Sequence, residues 1–231
     1  ISVRLVGSEM CIRDSPIFIK IAGARPYYDT ALAVKAGADV VVLDGMQGGT
    51  AATQEVFIEN VGQPTLACIR PAVDALQDLN SHREVQLIIS GGIRNGADVA
   101  KALALGADAV SIGSAAMIAI GDNDPKWEKE YEKLGTKAGA YDDWHEGNDP
   151  AGISTQKPEL MKRLDPKKAG RKLSNYLKVM SLEAQTIARA CGKNSLHNLE
   201  PEDLCALTVE AAAMARVPLA GTSWIPGIKK K

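Results

Sequence analysis

From residue 16 onward the apolar positions fall into two alternating rhythms. "PIFIKIAG" (16–23) is a continuous run of strand length ending in glycine, and "YYDTALAVKAGA" (27–38) follows with helical spacing and a glycine stop. "DVVVLDG" (39–45) is again strand-like. After a stretch carrying a short helix pattern, a Gly-Gln-Pro break and a longer helix pattern, the beat returns. "VQLIISGG", "NGADVAKALALGA" and "DAVSIGS" read as strand, helix and strand, and "AAMIAIG" opens another helix. Continuous apolar strands separated by helices make βαβ crossovers in a parallel sheet.

Four such strands fit either a small open sheet or half of an eight-stranded barrel. The last two strand-to-helix turns are glycine-rich, as are the phosphate-binding turns after the seventh and eighth strands of many barrels. The expected fold class is therefore α/β, the C-terminal half of a (β/α)8 TIM barrel followed by a helical tail. Residues 16–121 form the half-barrel. Its two apolar edges are expected to make the piece aggregation-prone unless other chain or subunits cover them.

After Gly121 the pattern weakens. Residues 122–160 are polar and rich in turn formers, a loop excursion rather than a further βα unit. Residues 161–231 form the tail. "DPKKAGRKLSNYLKVMSLEAQTIARACG" has helical apolar spacing, with Asp165-Pro166 at its start and Gly192 at its stop, and "EPEDLCALTVEAAAMARV" reads as a second helix.

Composition narrows the classes. A chain of 231 residues with 45% hydrophobic content has enough apolar material for a core. Lys plus Arg (27) nearly cancel Asp plus Glu (28), so the overall charge implies neither a nucleic-acid nor a membrane partner, and Lys229-Lys230-Lys231 reads as a solvated end. Cys11, Cys68, Cys191 and Cys205 lack ligand-like spacing, as expected of unpaired thiols in a reducing, cytoplasmic setting. No apolar run approaches the roughly 20 residues of a membrane span.

The chain begins with Ile1, and "SVRLVGSEMCIRDS" (2–15) resembles the peptide made when a sequencing-library primer is translated in frame. Residues 1–15 are accordingly read as a non-native scar. A genuine strand "SVRLV" with a loop is the alternative. On the scar reading, native sequence starts near Pro16, the first barrel strands are missing, and the piece alone is expected to be inactive.

Chemistry concentrates in the glycine turns. Gly91-Gly92 and Gly113-Ser114 sit at strand ends, where backbone N–H groups can approach an anion without a Cβ intervening, each ahead of a helix start. Either pair alone is explained by tight turns. The two together, with Arg94 adjacent, favour a phosphate site.

"SGGIRNGADVAKALALGADAVSIGSAAM" (90–117) resembles the closing segment of flavin- and nucleotide-binding barrels, including inosine-monophosphate dehydrogenase and the α-hydroxy-acid oxidases. "LDGMQGGTAATQEVFIENVGQPT", "DPAGISTQKPEL" and "LSNYLKVMSLEAQTIARACGKNSLHNLEPEDL" together resemble the FMN-binding domain of the glutamate synthase large subunit, nearest to small subunits of N-methylglutamate-synthase type. The resemblance covers Pro16 to Gly227. It implies an FMN-dependent oxidoreductase acting on CH-NH2 donors, which reduces an imine of 2-oxoglutarate to L-glutamate or an N-substituted glutamate. By position it implies Lys20 near the flavin's pyrimidine edge, where a cation stabilises a reduced flavin. A snorkelling strand-end lysine is the plainer role. It also implies phosphate contacts from Gly91, Gly92, Gly113 and Ser114, and a substrate-side turn of Gly48, Gly49 and Thr50. Gln47 and Asp44 flank that turn, Asp44 more as a strand-end cap. Separate amidotransferase and electron-donor partners, and an oligomer, are implied with them.

The departures are equally informative. Ala138, Trp144 and Asp149 stand where the family pattern has the three cysteines of a [3Fe-4S] cluster, so no iron–sulfur cluster is expected. Asp143, His145 and Asp149 could frame a mononuclear metal site but read more simply as a solvated face. No catalytic acid or base is legible. Two other classes remain: a non-catalytic structural or regulatory subunit, and a nucleotide-binding barrel of inosine-monophosphate-dehydrogenase type. The latter needs a loop cysteine, whereas Cys68 falls in a helix pattern.

Overall fold

The computed structural model describes residues 15–48, 55–138 and 146–228. Residues 1–14, nearly all of the expected scar, lie outside them. Strands β1 (Phe18–Ala22), β2 (Val40–Asp44), β3 (Gln86–Ser90) and β4 (Ala109–Ser111) form one sheet. All pairs are parallel and the spatial order is the chain order, β1-β2-β3-β4.

Between them run α1 (Pro26–Lys35), α2 (Glu55–Asn60), α3 (Thr65–Asp78) and α4 (Gly96–Ala104). Sequential parallel strands joined by crossovers of one hand place every helix on the same face of the sheet. A doubly wound open sheet would instead reverse its strand order, so this arrangement is that of a barrel wall. The burial pattern agrees. Ile19, Ile21, Val41, Leu43, Leu87, Ile89 and Val110 pack in the core with α1 and α3, while Phe18 on the opposite face is 60% exposed. Among the described residues the strands are thus covered mainly on the helix face, with Val40 in β2 a buried exception on the other, rather than evenly on both as their continuous apolar runs suggest.

Local signals set the boundaries. Pro26 begins α1, and Asn95 caps α4 by accepting a hydrogen bond from the Asp98 N–H at 2.9 Å. After β4 come α5 (Ser114–Ile120), a 3-10 turn at Pro125–Trp127, α6 (Glu128–Lys133) and α7 (Pro158–Met161). The excursion after residue 121 therefore contains short helices. The tail is dominated by α8 (Pro166–Ala190), whose cap Asp165 accepts from the N–H groups of Lys167 and Lys168. Met180, Ala184 and Ala188 give α8 its buried stripe, and the helix packs on α4 and α5.

The second tail helix is shorter than its sequence pattern. Pro201–Asp203 is a 3-10 turn, the chain then runs extended, and α9 spans only Val209–Ala215. The cause is Thr208, which accepts from the Ala211 N–H and starts the helix there. Ala212, Ala215 and Val217 close the core against α3. Among the described residues no helix is long and apolar enough to cross a membrane.

Candidate functional site

Parallel strands bring their carboxyl ends to one edge, and here that edge opens into a cleft of about 740 Å3. This is within the size of small-molecule and cofactor pockets, roughly 300–1,000 Å3. Lys20, Gln47, Gly48, Gly91, Gly92, Arg94, Gly113 and Ser114 all line it. Gly49 and Thr50, the rest of the expected substrate-side turn, lie outside the described residues.

Gly91 and Gly92 have φ of +107° and +74°, conformations that residues with a Cβ adopt only under strain. Crowding adds a second requirement. A Cβ on Gly91 would lie 2.7 Å from the Thr65 Oγ1, and one on Gly92 would lie 3.1 Å from the Gln47 Cβ. The turn after β3 is therefore made of glycine by the protein's own packing, and its backbone faces the cleft. Gly113 differs: no described residue stands within 4 Å of a Cβ built there, and Gly113 itself lines the cleft. Arg94 is an exposed side chain whose Nε lies 3.5 Å from Asp98.

Lys20 stands in the middle of β1, opposite Val42, rather than at the strand end that its sequence context suggests. Its ammonium pairs with the Asp44 Oδ2 at 2.8 Å. Among the described residues Asp44 caps no turn: its other oxygen, Oδ1, is buried without a hydrogen-bond partner. Gly48 packs directly on that oxygen, since a Cβ there would come within 1.9 Å of it.

Gln47 does something the sequence did not disclose. Its Oε1 accepts from both the Thr65 N–H and the Thr65 Oγ1, each at 2.8 Å, and so caps α3. Because a backbone N–H can only donate, that atom must be the carbonyl oxygen, which leaves the amide NH2 of Gln47 as a donor at the cleft. Ser90, Ser111 and Tyr176 complete the polar lining. None of these was singled out in the sequence. For Tyr176 only the helical spacing of α8 carried a hint, since it placed the residue next to the buried stripe.

Cys68 is fully buried in α3, against the carbonyls of Gly23, Gln63 and Pro64. Burial pushes its thiol up to about 11. A thiol so protonated and enclosed is a poor nucleophile, which weighs against a cysteine-dependent nucleotide barrel. His197 is a fastener: its Nε2 meets the Asp108 carbonyl at 3.0 Å, an acceptor that requires the proton on that nitrogen.

The excursion holds a separate polar centre. Asp149, 1% exposed, accepts from the N–H groups of Ala151, Ile153 and Ser154 at 3.0, 2.7 and 2.6 Å. The Tyr131 hydroxyl lies 2.9 Å from Asp149 and 2.7 Å from Asp122. Burial, followed by those two contacts, raises the Tyr131 phenol above its usual range. No group of three or more His, Cys, Asp or Glu placed to hold a metal occurs among the described residues. Trp144, Asp143 and His145 lie outside them.

A partial barrel with glycine turns at the carboxyl edge of its strands defines an α/β barrel protein with a ligand cleft at that edge. The family described as "Conserved region in glutamate synthase" matches residues 8–125 and 140–194, more than half of the chain. The chain belongs to the glutamate synthase family. It is 84% identical, over 93% of its length, to a glutamate synthase large subunit-like protein of Rhizobium meliloti, of which it covers 48%. It is 39% identical over 80% of its length to the archaeal glutamate synthase (NADPH) of Methanocaldococcus jannaschii, of which it covers 33%. The chain thus spans half or less of these relatives. Among solved structures, a flavocytochrome b2 double mutant with pyruvate bound superposes with a TM-score of 0.53 at 18% identity, over 99% of this chain and 41% of the other, a likeness of fold.

Proposed function

We propose that the protein is an FMN-dependent, glutamate-synthase-like oxidoreductase that reduces an imine of 2-oxoglutarate to L-glutamate or an N-substituted glutamate. One observation carries the reading: in a chain of this family, both glycine turns and Lys20 meet at a single cleft large enough for a flavin nucleotide. The residues present fit that group. The turn at Gly91 and Gly92 offers backbone that no Cβ obstructs, and the space beside Gly113 is open among the described residues. When bound there, FMN supplies hydride transfer. Lys20 brings a cation to the cleft, tempered by Asp44 at 2.8 Å. The Gln47 amide, fixed by its bonds to Thr65, presents donors to a carbonyl or carboxylate of the substrate. Ser114 and the backbone of Gly92 serve the phosphate.

An iron–sulfur cluster does not fit the residues at hand. Ala138 and Trp144 supply no thiolate, and the Asp149 carboxylate is already taken by three amides. Electrons and ammonia or an amine are accordingly assigned to separate partners, a donor protein and a glutamine amidotransferase subunit, in a cytoplasmic oligomer without nucleic acid or membrane.

The test is the absorbance of the full-length protein purified without added cofactor, with iron analysis alongside. Flavin bands, FMN uptake by the stripped protein and less than stoichiometric iron are the expected result. A folded, colourless protein that FMN does not titrate overturns the reading in favour of a non-catalytic subunit.

A further inference from the structure

The β3–α4 turn is not held by the barrel alone. Its backbone is tied at two points to the tail helix α8, from more than 80 residues further along the chain. The Tyr176 hydroxyl donates to the Arg94 carbonyl, and the Gly96 N–H donates to the Glu183 Oε2 at 2.9 Å. Gly96 sits hard against the same helix, because a Cβ there would fall 2.3 Å from the Met180 carbonyl oxygen and 2.5 Å from the Ala184 nitrogen. Tyr176 also forms part of the cleft wall. The turn's own ties run from the Arg94 N–H to Asp98 and from the Asp98 N–H to Asn95, and they leave the Arg94 carbonyl and the Gly96 N–H to α8. Gly91 and Gly92 are its first residues, and glycine has the largest backbone freedom to lose when a ligand must be gripped.

We propose that α8 is a brace that sets phosphate affinity, with Tyr176 and Glu183 as positioning residues that hold the β3–α4 turn in its binding shape before a ligand arrives. Pre-ordering removes a cost that would otherwise fall on binding. The inference deepens the flavin-nucleotide reading and rests on it. It also gives the tail a task in the cleft beyond packing: one acceptor and one donor of the turn, two residues apart, are satisfied from a single helix face. The side chains that seat α8 on the half-barrel, Met180, Ala184 and Ala188, are different ones and stay untouched in the variants below.

The experiment compares FMN with riboflavin, which lacks the phosphate, by fluorescence titration of the stripped full-length protein. Tyr176→Phe removes one tie and keeps the ring; Glu183→Ala removes the other, and Glu183→Gln keeps an acceptor. Losing one hydrogen bond is expected to weaken FMN about 5-fold in Tyr176→Phe and about 10-fold in Glu183→Ala, where the acceptor is charged. Glu183→Gln restores most of the loss, and riboflavin affinity stays unchanged in both Glu183 variants. Circular dichroism melts verify that each variant is folded. Variants that bind FMN like wild type, or Glu183 variants that lose riboflavin equally, overturn the brace while leaving the flavin reading standing. A wild-type protein that binds riboflavin and FMN alike, or neither, overturns the phosphate site and the brace together.

Discussion

Asp149 and Asp44 are both carboxylates withdrawn from solvent, and they are treated in opposite ways. Asp149 is 1% exposed and meets three backbone N–H groups and a tyrosine hydroxyl. Asp44 has a side chain 11% exposed, one oxygen on a half-exposed lysine and the other without a partner among the described residues. A buried acceptor without partners is costly, so proteins keep few of them and tend to keep them where a ligand acts. The fully bonded aspartate stands in the loop that family resemblance marks for metal binding, and the incompletely bonded one stands in the cleft. Asp149 is thus bonded as an architectural residue, whereas Asp44 keeps an oxygen that no described residue bonds.

The sharpest way to break this contrast is Asp149→Ala. It strands three amides at once and leaves the Tyr131 hydroxyl with Asp122 alone, and a loss of about 4 kcal/mol is expected, since several buried donors lose a charged acceptor. In a chain of this size that corresponds to a fall of about 10 °C in Tm, read by differential scanning calorimetry. A variant that melts within 2 °C of wild type (~0.5 kcal/mol) shows that the loop does not depend on this carboxylate. Tyr131→Phe removes only the phenol contacts to Asp122 and Asp149, and about 1–2 kcal/mol is expected from chemical denaturation, with the midpoint moving and the slope unchanged. Asp44→Asn comes last in stability. Its ion pair with a half-exposed lysine is worth less than about 1 kcal/mol, and removing charge from a carboxylate whose second oxygen is buried without a partner among the described residues offsets that. Its effect should appear in ligand affinity instead, as a change in FMN binding with an unaltered melting temperature. The reverse pattern, a large loss of stability with unchanged binding, would make Asp44 an architectural residue like Asp149.

How much of this was legible beforehand depended on whether the signal was local. The strands β1 to β4, the start of α8 at Asp165-Pro166 and the glycine stop after it were readable because each is decided by neighbours in the chain. That β1 buries only Ile19 and Ile21 was not, because "PIFIKIAG" is apolar at nearly every position and one-sided coverage is a property of the whole wall. The second tail helix was overextended because Thr208 caps within a stretch whose composition favours helix throughout. In the cleft, Lys20, Gly91, Gly92, Arg94, Gly113 and Ser114 could be nominated from turns and resemblance, and the fold brings them to one cavity. The Gln47–Thr65 cap and the reach of Tyr176 and Glu183 to the β3–α4 turn depend on pairs 18 to 87 residues apart. No local pattern encodes such pairs.

The register of the sheet has a consequence for how firmly the cleft holds its carboxylate. β2 is paired along all five residues on both sides, to β1 and to β3, and Asp44 is its last residue, opposite Ala22 on one side and Ser90 on the other. Displacing the Asp44 backbone requires two ladders to open together. A ligand that arrives at the cleft meets an anion whose place the sheet has already set.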